Sequence, residues 1–327
     1  MTVIHGIEID CIDYKVNDIK YAIQNNDPIE TKLHVVVVIS NPCFYATRYK
    51  LFNEFIRRLQ DEEHIQVYVV EMIYKHQQFM VTSSSNPRHL QLKTKNPIWH
   101  KENMIQLGIR YLLPATWKAV AWIDADLEFE NTTWALDTLK ILNGSKDVVQ
   151  LFSHCVDMAK DESTLNIFNS FGYSFSKNKA YTIKGLDYWH PGYAWAMTRK
   201  AYDKVGIYDK GVLGSGDSIM ALSFINKVNI NLNYQYHPDY KQSMLDYQEK
   251  AKSLRLGYVP GVIRHHYHGT KANRKYVERW KILIDHQYSP VQHITYDPIG
   301  IMVPTDAFSK QFKKDIFNYF KERKEDE

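Results

Sequence analysis

Two carboxylates stand close together where an apolar run of the sequence stops. Asp124 and Asp126 belong to the stretch AWIDADLEFE, residues 121–130. Aspartate is depleted in strands, and like charges at this spacing repel each other, so a bound partner should compensate for the arrangement. In an extended segment, residues i and i+2 face the same side. Both carboxylates could therefore hold one hard divalent cation, Mn²⁺ or Mg²⁺, against a diphosphate. The alternative is a pair of solvated carboxylates in a turn.

Three histidines form a second cluster in VIRHHYHG, residues 262–269. Neutral imidazole suits Mn²⁺ and other transition metals. His265 and His268 are three residues apart, whereas His266 and His268 alternate, and the sequence does not choose between these pairs. Histidines on the surface or in the core, without a metal, are the alternative. Residues 258–263 are predicted to form a short strand that carries the cluster to the ligand edge of a sheet.

A third candidate is the acidic side chain of Asp217, in the glycine-flanked segment GSGDS. Glycines permit a ligand to approach the backbone closely. Asp217 could act as a general base, or it could cap the apolar helix that follows, and one residue could do both. Farther along, Lys271, Arg274 and Arg279 could bind phosphate oxygens or could form the charged start of a helix.

The apolar patterns predict the elements that position these residues. Continuous β-branched or apolar runs predict strands at residues 33–40, 65–73, 118–123 and 148–152. Amphipathic helices are predicted between them, around residues 52–59, 99–114 and 134–142. This alternation favours an α/β fold with a mostly parallel, doubly wound central sheet flanked by helices. In such sheets, ligands bind outside the carboxyl ends of the strands, where Asp124 and Asp126 lie.

Bulk composition excludes several classes of function. The 327 residues include 41 basic and 37 acidic side chains, a net charge of +4 that is too balanced to indicate nucleic-acid binding. Three distant cysteines support neither a zinc site nor a disulfide framework. The first residues lack the pattern of a signal peptide, and no apolar run approaches the ~20 residues of a membrane span. We therefore expect a cytoplasmic protein.

Several motifs, taken in order, resemble a known family. WHKEN, AWIDADLEF, PGYAWA, GSGDS and VIRHHYHG are similar to the motifs of metal-dependent glycosyltransferases with the GT-A fold. The pattern is that of the galactosyltransferase and N-acetylgalactosaminyltransferase type, which includes viral and bacterial relatives. The resemblance covers roughly residues 33–280. It implies a transferase that moves a sugar from a nucleotide-diphosphate donor, by base rate a UDP-sugar, to a glycan or other hydroxyl acceptor.

The resemblance also implies roles for individual residues. Asp126 would bind Mn²⁺ or Mg²⁺ together with His265, with His268 as the nearest competitor, and Asp124 would contact the metal or the donor. Asp217 would be the base of an inverting enzyme. The remaining donor contacts would be Ser40, Pro42, Arg48, Lys101 and Asn103. The residues facing the donor sugar and the acceptor would be Trp189, Tyr193 and Trp195.

The same reasoning divides the chain into regions. Residues 1–31 would be an N-terminal extension, residues 32–153 the nucleotide-binding half and residues 154–280 a loop-rich acceptor half. Residues 281–327 would be a helical tail whose apolar side packs on the body.

Two other functions remain open at this stage. A sugar-phosphate nucleotidyltransferase can share the strand–helix order, but the segment NPCFYATRYK after the first predicted strand lacks the glycine-rich phosphate loop expected of one. A non-catalytic carbohydrate-binding protein on a degenerate transferase scaffold is the other, and the retained acids and histidines argue against it.

Overall fold

The structure is a computed structural model that describes residues 2–4, 7–9, 31–143, 145–185, 187–275 and 278–327. Most of the predicted N-terminal extension lies outside the described residues. The strands are β1 Thr2–Ile4, β2 Ile7–Ile9, β3 Leu33–Ser40, β4 Ile65–Tyr74, β5 His89–Thr94, β6 Ala119–Ile123, β7 Leu127–Phe129, β8 Val148–Gln150, β9 His154–Met158, β10 Thr164–Ser170, β11 Trp189–His190, β12 Ala194–Thr198, β13 Leu256–Tyr258, β14 Val262–His265, β15 Ile294–Tyr296 and β16 Met302–Pro304. The α-helices are α1 Ala46–Leu59, α2 Lys101–Leu112, α3 Trp134–Leu142, α4 Phe171–Ser176, α5 Arg199–Val205, α6 Gly216–Phe224, α7 Pro238–Ala251, α8 Trp280–Asp285, α9 Pro290–His293 and α10 Lys310–Glu322.

A seven-stranded sheet in the order β13-β8-β12-β6-β3-β4-β5 forms the centre of the molecule. All its neighbouring strands are parallel except β12, which runs antiparallel to both β8 and β6. The predicted α/β fold with a mostly parallel sheet flanked by helices is therefore confirmed. The four predicted strands are β3, β4, β6 and β8, whereas the two edge strands β5 and β13 and the antiparallel strand β12 were not predicted.

Strand β3 shows why a continuous β-branched run ends up in the middle of this sheet. Val35 and Val37 pack into the same apolar cluster as Phe52 and Phe55 of α1. Val36 points to the opposite face and joins the cluster that contains α2. Alternate side chains of one strand thus face helices on both sides, which excludes polar positions from the run.

A second sheet, in the order β11-β10-β9-β14-β7, was not predicted, because all its strands except β7 fall in the half that was expected to be rich in loops. The expectation of one strand over residues 258–263 was also wrong. The chain leaves the first sheet after Tyr258 and enters the second at Val262. Pro260 and Gly261 lie between them; proline has no N–H for a ladder, and Gly261 has φ 153°, which a side chain would disfavour.

The predicted helix near the end of the sequence is present as α10, and it belongs to the main core. It buries Phe312, Ile316 and Phe320 in the same apolar cluster as α2. A short antiparallel hairpin of β15 and β16, which was not predicted, precedes it. Within the described ranges, no helix is both long and apolar enough to cross a membrane.

One buried carboxylate organises the loop between β4 and β5, and its loss should destabilise the fold. Glu71 accepts hydrogen bonds from the amides of Met80, Val81 and Thr82 and from the Thr82 hydroxyl, at 2.6–3.1 Å. In Glu71→Gln, an amide NH₂ replaces one acceptor and faces these donors. We expect the free energy of unfolding, measured with urea, to fall by about 3 kcal/mol, because hydrogen bonds to a charged group are lost and buried donors remain unpaired.

The matched control is Glu63→Gln, on the exposed turn before β4. Its unfolding free energy should change by no more than about 0.5 kcal/mol. Equal urea midpoints for the two variants would contradict the role assigned to Glu71.

Candidate active site

The carboxyl ends of the central strands open into a cavity of about 880 Å³. The residues that reach it come from both sheets, from the N-terminal ends of α2 and α6, and from the segment after α10. The acidic and histidine side chains that line it are His100, Glu102, Asp124, Asp126, His190, Asp217, His265, His268 and Glu325. Cationic side chains from distant parts of the sequence interleave with them: Arg48, Lys101, Lys271, Arg274, Arg279 and Arg323.

Asp126, His265 and His268 converge on one point of this cavity. The Asp126 Oδ2 atom lies 2.9 Å from Nε2 of His268 and 3.7 Å from Nε2 of His265, and the two Nε2 atoms are 3.2 Å apart. The strand register produces this meeting, because β14 pairs with β7, so that His265 lies opposite Leu127, one residue beyond Asp126. His266 points elsewhere, and its Nε2 atom lies 3.2 Å from Glu128.

The outer nitrogen of His265 is fixed by a second carboxylate. Nδ1 lies 2.6 Å from Oδ1 of Asp157, which is buried on β9 and pairs through its other oxygen with Lys271 at 2.5 Å. If Nδ1 donates to Asp157, the neutral ring presents the Nε2 lone pair to the cavity. Second carboxylates of this kind orient histidine ligands of metals. Burial lowers the pKa of His265, but Asp126 and Asp157 outweigh it and raise the pKa above its usual value.

The second histidine is held in its neutral form. Burial and the neighbouring Arg274 guanidinium lower the pKa of His268 to about 4. Arg274 donates to Nε2 of His268 at 2.7 Å. That nitrogen therefore carries a lone pair, which accepts from Arg274 in this structure and would become available to a cation once Arg274 moves aside.

The group fits a divalent cation. Besides the close approach of three ligand atoms, Oδ1 of Asp126 is buried and has no hydrogen-bond partner. A buried carboxylate oxygen without a partner is costly, and a cation would satisfy it. One carboxylate with two imidazoles is a donor set that suits Mn²⁺ or a similar ion. Although burial opposes ionisation, the two histidines hold the pKa of Asp126 well below its usual range.

Asp124 lines the same cavity but has a different partner. Its carboxylate forms an ion pair with Lys101 at the start of α2, and its backbone amide donates to the carbonyl of Tyr193. Burial and repulsion from Asp126 raise the pKa of Asp124, although Lys101 opposes them. Asp124 and Asp126 therefore lie in a turn between β6 and β7, where the carboxylate of Asp124 contacts Lys101 and that of Asp126 contacts His265 and His268.

Asp217 stands in the first turn of α6. Its Oδ1 atom accepts a hydrogen bond from the amide of Ser218 at 2.8 Å. Its Oδ2 atom lies against Gly192, where a β-carbon would be only 2.9 Å away. A glycine at position 192 therefore lets this carboxylate reach the cavity. Ser215, just before the helix, adopts a left-handed conformation with φ 68° and accepts from Arg279 at 2.5 Å.

Glu102 is a further acid beside Asp217. Its Oε2 atom accepts from the indole of Trp99 at 2.8 Å, and its side chain packs against Gly216, where a β-carbon would clash. Burial and the nearby Asp217 raise the pKa of Glu102 to about 7, although Lys101 opposes them. The WHKEN motif therefore brings an acid as well as a lysine to the cavity.

The structure places the other predicted site residues in two groups. Ser40, Pro42, Arg48 and Tyr193 line the cavity. Asn103, Trp189 and Trp195 are buried away from its lining.

The buried group has structural partners. The amide of Asn103 donates to Asp209 and to the carbonyl of Gly300, and its oxygen accepts from the amide of Met302. Asn103 therefore connects α2 to the hairpin of β15 and β16. The indole of Trp195 donates to the carbonyl of Pro191, and the ring packs on Phe224.

Sequence reasoning missed Glu325 and Arg323, which reach the cavity from the end of α10. Their stretch, KERKEDE, has the composition of a solvated charged face, and nothing in it signals burial. It also missed His190, which stacks on Tyr193 with ring centroids 4.1 Å apart.

A scan against models of protein families found no match, and a search of curated protein sequences found none either. Among solved structures, the chain is similar to the catalytic domain of Drosophila β1,4-galactosyltransferase 7 with xylobiose: TM-score 0.41, 10% identity, 84% of this chain and 93% of that one. It is similar to a Pyrobaculum calidifontis mannosyltransferase with GDP-Man and Mn²⁺: TM-score 0.38, 12% identity, 93% and 76% covered. It is also similar to the inositol-1-phosphate CTP transferase of T. maritima: TM-score 0.33, 10% identity, 68% and 98% covered. At these values the likeness concerns the fold alone.

Proposed function

We propose that this protein is a glycosyltransferase that moves a sugar from a nucleotide-diphosphate donor to a hydroxyl acceptor with the help of a divalent cation. The observation that carries the proposal is the convergence of Asp126, His265 and His268 in the cavity that also contains Asp217. A candidate cation site and a candidate base thus line one cavity of about 880 Å³.

Asp126, His265 and His268 would hold the cation, Mn²⁺ or Mg²⁺. When bound, the cation neutralises the negative charge that develops on the departing diphosphate. Asp157 keeps the His265 ring oriented for this role.

Cationic side chains of the chain itself would bind the donor. Ser40 and Pro42, at and just after the carboxyl end of β3, would contact the nucleoside, and Arg48 of α1 would contact the phosphates of the nucleotide. Lys101 would approach the donor from the other side of Asp124. Lys271 lies next to the histidine cluster and suits phosphate oxygens. We propose a UDP-sugar as the first donor to test.

Asp217 would act as the general base. Its carboxylate takes the proton of the acceptor hydroxyl while the hydroxyl oxygen forms a bond to the anomeric carbon of the donor sugar. The bond from that carbon to the diphosphate oxygen breaks, and the diphosphate leaves with the electron pair. A single displacement of this kind inverts the configuration at the anomeric carbon.

A thermal-shift scan tests the donor site directly. UDP, GDP, CMP and ADP are each added with and without Mn²⁺. One nucleotide, at about a hundred times its dissociation constant, should stabilise the protein by about 2.7 kcal/mol and only when Mn²⁺ is present. For a chain of this size we expect the midpoint to rise by about 2 °C or more.

Two outcomes of the scan would overturn the proposal. No shift with any nucleotide, in the presence or absence of Mn²⁺, would leave a non-catalytic carbohydrate-binding protein as the better account. When the scan is extended to nucleoside triphosphates, a shift with these alone, followed by release of pyrophosphate in the presence of a sugar phosphate, would indicate a nucleotidyltransferase.

A further inference from the structure

An acidic segment near the end of the sequence contributes Glu325 to the lining of the cavity. Glu325 is only 1% exposed, and its carboxylate is held between two arginines. Nη2 of Arg48 donates to it at 2.7 Å, with a second contact from Nε, and Nε of Arg323 lies 2.7 Å away. Burial opposes ionisation, but these two guanidinium groups outweigh it and hold the pKa of Glu325 below its usual range.

The position of this carboxylate is informative. On one side, Arg48 also donates to the carbonyl of Ser40, at the carboxyl end of β3, at 2.6 Å. On the other side, Oε2 of Glu325 lies 4.0 Å from Nδ1 of His268. Glu325 thus stands between the strand end proposed for the nucleoside and the histidine cluster proposed for the cation. A diphosphate that joins a nucleoside to that cation has to pass through the same space.

A second carboxylate of the segment occupies a site for anions. Asp326 accepts hydrogen bonds from the amides of Ala46 and Thr47, at 3.0 and 2.8 Å, at the N-terminal end of α1. Amides at a helix N-terminus favour negative charge, and phosphates bind there readily. The Tyr45 hydroxyl fastens the segment further, because it donates to the carbonyls of Phe320 and Lys321 and accepts from the amide of Lys324.

We propose that Glu325 and Asp326 fill the places that the donor's phosphate groups take, so that this segment and the donor compete for Arg48, Arg323 and the start of α1. The inference rests on the proposed function for the identity of the donor, but the anion site itself needs only a diphosphate. When the donor enters, the two carboxylates must leave, because the negative charges of the phosphates and of the carboxylates repel each other in one buried site.

A rigid wall or a lid that closes over the donor is the rival account. A lid would bring cations or neutral donors to the diphosphate, whereas this segment brings a buried carboxylate to it. A wall or a lid also predicts a different result: removal of the Glu325 charge would weaken donor binding or leave it unchanged.

The first experiment compares Glu325→Gln with Glu327→Gln, a control in the same segment whose side chain is largely exposed and pairs with Lys324. The dissociation constants of inorganic pyrophosphate and of UDP with Mn²⁺ are measured by calorimetry. A segment seated nine-tenths of the time weakens an apparent affinity about tenfold, so Glu325→Gln should bind both probes about ten times more tightly than wild type. The control should bind like wild type.

A second measurement uses the wild-type protein and does not depend on a variant folding. Trypsin cleaves after Lys324, and mass spectrometry follows the loss of residues 325–327. Pyrophosphate or UDP with Mn²⁺ should accelerate this loss several-fold, because the segment is displaced. Protection of the segment by the ligand, or weaker binding in Glu325→Gln, would overturn the proposal.

The two proposals fail separately. Tighter pyrophosphate binding by Glu325→Gln without any response to nucleotides would support the anion site and contradict the assigned donor. A nucleotide response that is equal in wild type and Glu325→Gln would support the donor and contradict the competition.

Discussion

Replacement of Asp126 by asparagine is expected to remove the binding of Mn²⁺ and to lower turnover by about 10³ or more, since a cation at a leaving group supplies several kcal/mol of transition-state stabilisation. Asp126 is the carboxylate of the converging group, and its Oδ1 atom has no hydrogen-bond partner. An amide keeps the shape of the side chain but loses the charge. The first readout is the affinity for Mn²⁺ alone, measured by electron paramagnetic resonance of the free ion.

Glu128→Gln is the matched control for Asp126→Asn. Glu128 lies two residues away, is partly exposed and contacts His266 rather than the converging pair. It should keep both its Mn²⁺ affinity and its turnover. If Asp126→Asn bound Mn²⁺ as tightly as Glu128→Gln, the cation would have to sit elsewhere, and the assignment of the cluster would be wrong.

Replacement of Asp217 by asparagine should have a different signature. General-base help is typically worth about 10² to 10⁴ in rate, so kcat should fall by that amount. The affinity for nucleotide and Mn²⁺ should stay close to that of wild type, because the contacts of Asp217 are with Ser218 and Gly192 and not with the metal group. Steady-state kinetics with a fixed acceptor and the thermal-shift scan separate the two quantities.

Asp246→Asn, on the exposed side of α7, serves as the control for Asp217→Asn and should match wild type in both measurements. Unchanged kcat in Asp217→Asn would remove Asp217 as the base. Its neighbour Glu102, whose pKa is raised to about 7 by burial and by Asp217, would then be the next acid to test.

The sheet that carries these acids was readable in the sequence because its signals are local. The β-branched run of β3 and the apolar run of β6 predict buried strands. Because β6 ends at Ile123, Asp124 and Asp126 lie at the edge of the sheet where ligands bind. Strand β5 and the second sheet were missed, since their strands are short and carry polar residues. Their pairing is decided by partners far away in the sequence rather than by their own pattern.

The choice among the three histidines shows where local reasoning ends. Spacing alone allowed two pairs. The register of β14 against β7 and β9 places His265 between Asp126 and Asp157, and it sends His266 to Glu128. Similarly, the tryptophans proposed to face the sugar are core residues, because an indole contributes more stability when buried than when exposed.

By itself, the sequence determined four strands of the central sheet, the place of the two aspartates at its edge and the choice of Asp217 as the candidate base. Periodicity and strand ends are short-range properties, so residues a few positions apart carry them. Only the tertiary structure decided that His265 and His268 meet Asp126, and that Glu325 meets Arg48 from the far end of the chain. Those contacts depend on the packing of α10 and the pairing of β14, which bring together charged residues more than a hundred positions apart. A local sequence pattern cannot predict contacts over such a separation.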